Sequence, residues 1–179
     1  AAYGILMYVG MIFSAVLMGY NMGVSPLMSF QHGARNNNEK RSLFRKSLLI
    51  TAFFGGAMCV SAELAAPLIA WAYGGYDPEF CQLIIHATRL YMTCMLITGF
   101  NFYASALFTS LGNGVVSAII SFVRTLVCEC GCVLVLPLFL GVDGVWVSFT
   151  VAETLTLIMS ASFVVALGKH YRLFKVHED

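Results

Sequence analysis

Five charged residues stand inside long apolar stretches of this chain: Glu63, Arg89, Arg124, Glu129 and Glu153. An ionised side chain at the centre of a bilayer costs about 2.5–3.5 kcal/mol on insertion scales, so each needs a partner or a use. Two chemistries fit these residue types. One is a structural ion-pair network in which each arginine neutralises an acid and locks helices together. The other follows from counting. Three acids face two arginines, which leaves one carboxylate to take up a proton or a metal cation. Glu129, nearest the middle of its apolar run, is the first candidate, ahead of Glu153 and Glu63. At 1.5 Å per residue, Glu63, Arg89, Glu129 and Glu153 fall roughly 12–15 Å below one membrane surface, with Arg124 one turn deeper.

Other reactive residue types carry less. In the segment CECGC, Cys128 and Cys132 share a helix face while Cys130 points away. No second ligand pair accompanies them and zinc sites use four ligands, so no metal is expected. The six cysteines lie almost wholly in apolar runs without the spacing of a disulfide framework, and they read as small buried residues. His32 and His86, near the ends of apolar runs, read as polar packing residues, and His170 and His177 belong to the C-terminal stretch. There is no nucleophile elbow, P-loop or dinucleotide fingerprint, so an enzyme is not expected and no cofactor is implied. Pro26, Pro67 and Pro137 free the carbonyls of Met22, Glu63 and Val133. Pro26 and Pro67, deeper in their runs, are the hinge candidates.

The elements that must position these residues follow from composition. Hydrophobic residues make up 59% of the 179, charged residues 11%, and mean hydropathy is +0.82. A soluble domain is about 25% charged, so the solvent implied here is lipid. A formal net charge of +1 gives no case for nucleic acid. About 20 apolar residues in a helix cross the hydrocarbon core. Five segments are long enough: residues 3–30, 43–73, 80–109, 115–139 and 145–167. They predict an all-α integral membrane bundle, one domain over residues 1–179, with a loop at 31–42 and a tail at 168–179. Runs of this length without period-two alternation exclude strands. Nine methionines and fourteen phenylalanines suit lipid contact and helix packing, with a minority available to line an adaptable apolar pocket.

Eight of the ten basic residues sit at one side: Arg35, Lys40, Arg41, Arg45 and Lys46 around the first loop, and Lys169, Arg172 and Lys175 after the last helix. The turns GGYDPE and GVDG contain acids and no Lys or Arg. Since basic residues flank cytoplasmic helix ends, Ala1 is expected outside and Asp179 in the cytoplasm. Trp71, Tyr73, Tyr76 and Trp146 then fall at outer ends as an aromatic belt. The basic loop reads as a topology determinant first and an attraction for anionic lipid second. The chain opens in an apolar run without an initiator Met, and five helices do not make a natural repeat unit, so at least one helix is expected upstream.

Three stretches, in this order, resemble the multidrug and toxic compound extrusion family. They are GYNMGVSPLMSFQHGARNNNEKRSLFRKSL, ALFTSLGNGVVSAIISFVRTLV and LPLFLGVDGVWVSFTVAE, and the closing VALGKHYRLFK suits the end of the second lobe of such proteins. Members look like twelve-helix antiporters of the plasma (cytoplasmic) membrane, with two six-helix lobes around a cavity. The resemblance implies that this chain carries helices eight to twelve of one. Its partners would be the bilayer, an N-terminal lobe with the preceding helix, and small organic cations or drugs. The coupling ion would be a proton or sodium. Gln31-His32 stands where relatives often have Asn-Tyr, and Asn101 is the polar residue nearest the tenth-helix carboxylate of some relatives. A lipid-linked precursor flippase of the same superfamily, gripping pyrophosphate with cavity arginines, is the alternative transporter. A non-transporting truncated fragment is the alternative outside transport.

The charge asymmetry makes a topological prediction. In the complete gene product stripped of native cysteines, Asn37→Cys should react with impermeant maleimide only from the cytoplasmic side, and Asp77→Cys only from outside. The reverse pattern would overturn the orientation.

Overall fold

The computed structural model describes residues 2–74 and 77–174, so Ala1, Tyr76, Lys175, His177 and Asp179 lie outside the described residues. Regular structure among the described residues is entirely helical: α1 (Ala2–Gly33), α2 (Asn37–Gly74), α3 (Pro78–Met92), α4 (Met95–Ser110), α5 (Gly114–Phe122), a π-helical stretch (Val123–Glu129), α6 (Cys130–Leu140) and α7 (Val142–Gly168). These combine into five spans, Tyr3–Gly33, Asn37–Tyr73, Pro78–Ser110, Gly114–Leu140 and Val142–Gly168, each long and apolar enough to cross a membrane. The chain is an all-α membrane bundle. Its outer surface carries apolar side chains such as Leu64, Leu138 and Phe139, as lipid requires.

Lipid tails are as apolar as leucine, so helices in a bilayer are held by close packing and hydrogen bonds more than by the hydrophobic effect. Small residues supply the closeness. Ala62, Ala66 and Ala70 recur at every fourth position of α2 and are buried. Ala62 and Ala70 cluster with Ile84, Ala87 and Met92 of α3. At the centre α4 packs on α1, α2, α5 and α7. A side chain at Gly99 of α4 would meet Thr51 Cγ2 of α2 at 2.7 Å and Leu17 Cδ2 of α1 at 3.2 Å, so glycine permits this crossing.

Two larger apolar clusters result, with a smaller third of Phe108, Val116 and Ile120. One gathers Leu6, Ile84, Tyr91, Met95 and Trp146; the other gathers Met28, Phe44, Tyr103, Leu107 and Leu173 at the opposite end. Between them α4 presents Thr98 and Asn101, and α7 presents Glu153.

Four local expectations change. The loop expected over 31–42 shrinks to residues 34–36, because the polar residues after it form the first turns of α2. Asn36 caps that helix, its Oδ1 accepting from the Glu39 N–H at 3.3 Å and its carbonyl from the Lys40 N–H at 3.0 Å. The third span is broken at Thr93–Cys94, where the Cys94, Leu96 and Ile97 N–H groups bond three residues back, a tightened turn. The fourth span is widened over Val123–Glu129. Pro26 and Pro67 lie inside the continuous α1 and α2. Trp146 is 5% exposed, packed with Leu6 and Ile84 and 6.1 Å from the ring of Tyr3, so it is a core residue and not part of an interfacial belt. Trp71 and Tyr73 are exposed.

The turn between α6 and α7 is tight enough to test. A methyl at Gly144 would lie 2.6 Å from the Leu136 carbonyl oxygen and 2.8 Å from Pro137 Cα, backbone atoms that cannot swing aside. Overpacking of this kind costs about 1–3 kcal/mol. Gly144→Ala should lower the thermal midpoint of the purified protein by several degrees. Gly131→Ala, where the space is open, should leave it unchanged or raise it slightly.

Candidate functional site

The site is built on the two irregular spans. In an ordinary α-helix residues five apart stand about 140° apart around the axis and do not meet. In a π-helix each N–H bonds five residues back, so such residues stack along one side. Over Val123–Glu129 the backbone takes this form, and Arg124 Nη2 comes within 3.4 Å of Glu129 Oε1. The same guanidinium reaches α7, with Nη2 2.6 Å and Nε 3.0 Å from Glu153 Oε1. Its carbon lies 4.4 Å from the centre of the Phe102 ring, a cation–π contact on the α4 side.

Glu153 is 3% exposed. Its second oxygen, Oε2, accepts from Asn101 Nδ2 at 2.6 Å, and the same amide donates to the Glu153 carbonyl at 2.9 Å. Asn101 thus ties side chain and backbone of α7 to α4. Asn101 Oδ1 is buried with no hydrogen-bond partner among the described residues. Arg124, Glu129 and Glu153 together carry one negative charge in excess when all are ionised. Glu153 is held by short bonds from two helices, while Glu129 is held by one longer contact and is more exposed.

A cavity of about 400 Å³ opens on this cluster. Arg124, Glu129 and Glu153 line it beside Met7, Met11 and Met18 of α1. Thioether side chains make an adaptable apolar wall. A second cavity, about 290 Å³, shares Met18 and Arg124 with the first and continues along Asn101, Ser105 and Ser121. Ser105 Oγ lies 2.8 Å from Ser117 Oγ and 3.0 Å from Ser121 Oγ, and Thr109 Oγ1 donates to Ser117 Oγ at 2.8 Å. This hydroxyl ladder between α4 and α5 escaped the sequence reading, although Ser105, Thr109, Ser117 and Ser121 repeat at helical spacing on both sides of the LGNG turn.

Of the sequence candidates, Asn101, Arg124, Glu129 and Glu153 come together. Glu63 and Arg89 do not join them. They pair with each other, Arg89 Nε 3.3 Å from Glu63 Oε2, on the partly exposed α2–α3 side. The single layer of three acids therefore separates into two groups. His86 Nε2 lies 3.1 Å from Asp143 Oδ1 and ties α3 to the start of α7. Among the described residues no group of three His, Cys, Asp or Glu side chains is arranged to hold a metal.

The MatE family model matches residues 1–133. The chain belongs to the MatE family. It is 24% identical over 172 residues to the multidrug export protein MepA of Staphylococcus haemolyticus (strain JCSC1435), which covers 93% of this chain and 36% of MepA. Among solved structures it resembles the inward-facing conformation of a multidrug resistance MATE family transporter of the MOP superfamily, with TM-score 0.81, 22% identity, and coverage of 92% of this chain and 39% of that one. It also resembles the outward-facing conformation of a transporter so described, with TM-score 0.83, 22% identity, and coverage of 94% and 39%. The chain spans a little over a third of the length of these relatives.

The unequal grip on the two acids predicts unequal consequences for stability. Breaking a buried ion pair by removing one partner costs about 3–5 kcal/mol. Glu153→Ala should lower the thermal midpoint and expression markedly, because Arg124 and Asn101 both lose their short bonds. Glu129→Ala should lower them far less. Equal losses would show that the two carboxylates are held alike.

Proposed function

We propose that this MatE chain forms the ion-coupling part of a secondary active exporter that exchanges amphipathic, often cationic compounds for protons or sodium. The observation that carries the reading is one guanidinium shared by two carboxylates on the wall of a methionine-lined cavity. The surplus negative charge is the site for the cation. Glu129, the more loosely held acid, exchanges it, while Glu153 and Arg124 remain paired. Oxygen ligands of this kind suit a hard cation such as sodium as well as a proton. The cavity accepts the drug through its apolar wall, and the unneutralised carboxylate attracts its positive charge. That the bundle resembles both an inward-facing and an outward-facing structure about equally supports a bundle that moves as a unit. The basic end of the bundle is taken as cytoplasmic. A flippase gripping pyrophosphate would want several arginines at the cavity, and of Arg89 and Arg124 only the latter lines it.

Exchange of cation for drug requires that the two compete through a common equilibrium, and the coupling is reciprocal in free energy. In vesicles bearing the complete gene product, Glu129→Gln should still bind a fluorescent cationic dye. Its release driven by an imposed proton or sodium gradient should fall by about tenfold or more, the size of an ordinary coupling free energy. Glu153→Gln ranks second and Glu63→Gln third. Wild-type gradient-driven release by all three would place the coupling outside this chain and leave the cluster structural.

A further inference from the structure

Three segments converge at the basic end of the bundle: the turn after α1, the first turn of α2 and the turn after α7. They enclose a cavity of about 290 Å³ lined by His32, Arg35, Lys40, His170, Tyr171 and Arg172, together with Asn37 and, among the described residues, no acid. The two arginines arrive by the same device. At the end of α1 the Asn36 N–H donates to the Gln31 carbonyl at 3.1 Å, and the Arg35 N–H to that of His32 at 3.1 Å. At the end of α7 the Leu173 N–H donates to Gly168 at 2.8 Å, and the Arg172 N–H to Lys169 at 3.1 Å. Each is a Schellman cap, whose left-handed position normally holds glycine. Here Arg35 (φ 55°) and Arg172 (φ 54°) occupy it, and both line the same cavity. Arg41 Nε donates to the Arg172 carbonyl at 3.0 Å and clamps the second cap onto α2.

Lys40 decides what the cavity is for. It is 3% exposed, and its ammonium donates to Asn37 Oδ1 at 3.0 Å. Among the described residues no carboxylate lies within ion-pair distance of it. His32 Nδ1 is also buried without a partner among the described residues. A buried ammonium surrounded by arginines is unfavourable unless an anion joins it. Two guanidinium forks, an ammonium and two imidazoles around one space match a tetrahedral oxyanion. We propose that this pocket binds a phosphate group, carried by a phospholipid headgroup or by a small soluble phosphate. Beside it a second basic groove, lined by Arg41, Arg45, Lys46 and the apolar Leu49, offers a path for the rest of a lipid.

The test uses the purified complete gene product, delipidated, with phosphatidic acid, phosphatidylcholine and inorganic phosphate as probes. Thermal stability and native mass spectrometry provide the readouts. Wild-type protein should be stabilised by phosphatidic acid and not by phosphatidylcholine, since a ligand of the native state raises the midpoint by mass action. Stabilisation by inorganic phosphate at comparable occupancy would assign a soluble phosphate; its absence would assign a lipid. Lys40→Met and Arg172→Gln should each weaken binding by about tenfold, the scale of one charge-assisted hydrogen bond. Lys40→Arg should retain binding and guards against a folding failure. Lys46→Gln removes the same charge outside the pocket and is the control. If Lys40→Met loses no more than Lys46→Gln, the effect is diffuse surface charge and the proposal fails. It fails equally if binding appears only after Glu178→Gln and Asp179→Asn are introduced together, because the chain's own tail would then be the occupant.

Discussion

Arg124 and Glu153 lie on successive spans, and the 2.6 Å contact between them constrains nearly everything around it. Desolvating two charges is costly, and their attraction repays the cost only with good geometry and with the remaining lone pairs and protons satisfied. The surroundings supply both. Asn101 takes the second carboxylate oxygen, Phe102 covers the guanidinium, and Glu129 Oε1 approaches the same Nη2 at 3.4 Å. Asn101 and Phe102 come from α4 and Glu129 from the fourth span. The bond therefore fixes the register of α4, the fourth span and α7 together, which generic apolar packing does not do. With the clusters around Trp146 and around Phe44 on either side of it, the polar layer marks one depth in the bundle.

The irregular backbone near this layer follows from the same constraint. Arg124 and Glu129 can share a side of their helix only where the winding loosens, and the winding loosens over Val123–Glu129. The third span tightens at Thr93–Cys94, and Cys94 and Thr98 line the cavity beside the two acids. Thr98 Oγ1 donates to the Cys94 carbonyl at 2.9 Å, beside the Ile97 and Thr98 N–H groups that bond the same oxygen. π-helical insertions are uncommon and gather at functional sites. Here the insertion has an identifiable job, the juxtaposition of a cation and an anion five residues apart.

That also explains what could be read from the sequence. Hydropathy alone marks five spans, because lipid demands an almost unbroken apolar run and few other environments permit one. Charge counting isolates Glu63, Arg89, Arg124, Glu129 and Glu153, because each is costly where it stands. Their pairing was not legible. Facing arguments rest on 3.6 residues per turn, and that period fails over the seven residues containing both Arg124 and Glu129. Asn101 could be seen as a lone polar residue in an apolar run, but its bond to the Glu153 carbonyl depends on a chain separation of 52 residues. Trp146 was misread because an aromatic at a helix end suits a membrane interface and a core equally well. The expected 31–42 loop failed for the opposite reason: polar residues beyond the hydrocarbon boundary need not leave the helix.

The distribution of charge between the two groups bears on how the proposed exchange would be transmitted. Glu63 and Arg89 cancel one another, so removing or adding a cation elsewhere changes nothing in their balance. The Arg124 group is different, because its guanidinium faces two competitors. With Glu129 ionised, Arg124 divides its attraction between two spans; with Glu129 neutralised by a proton or a sodium ion, Glu153 alone holds it. Arg124 also lines both cavities, as does Met18 of α1. Neutralising Glu129 would therefore alter the charge and the shape of the wall facing a bound drug without any change in the helix fold. A cationic drug and a coupling cation would each satisfy the same surplus carboxylate, and occupancy by one would reduce the electrostatic attraction for the other. Competition for one charge is sufficient to make the exchange obligatory, provided the bundle reorients only when that charge is satisfied. An uncompensated carboxylate in a closing apolar cavity is the penalty that would enforce the condition.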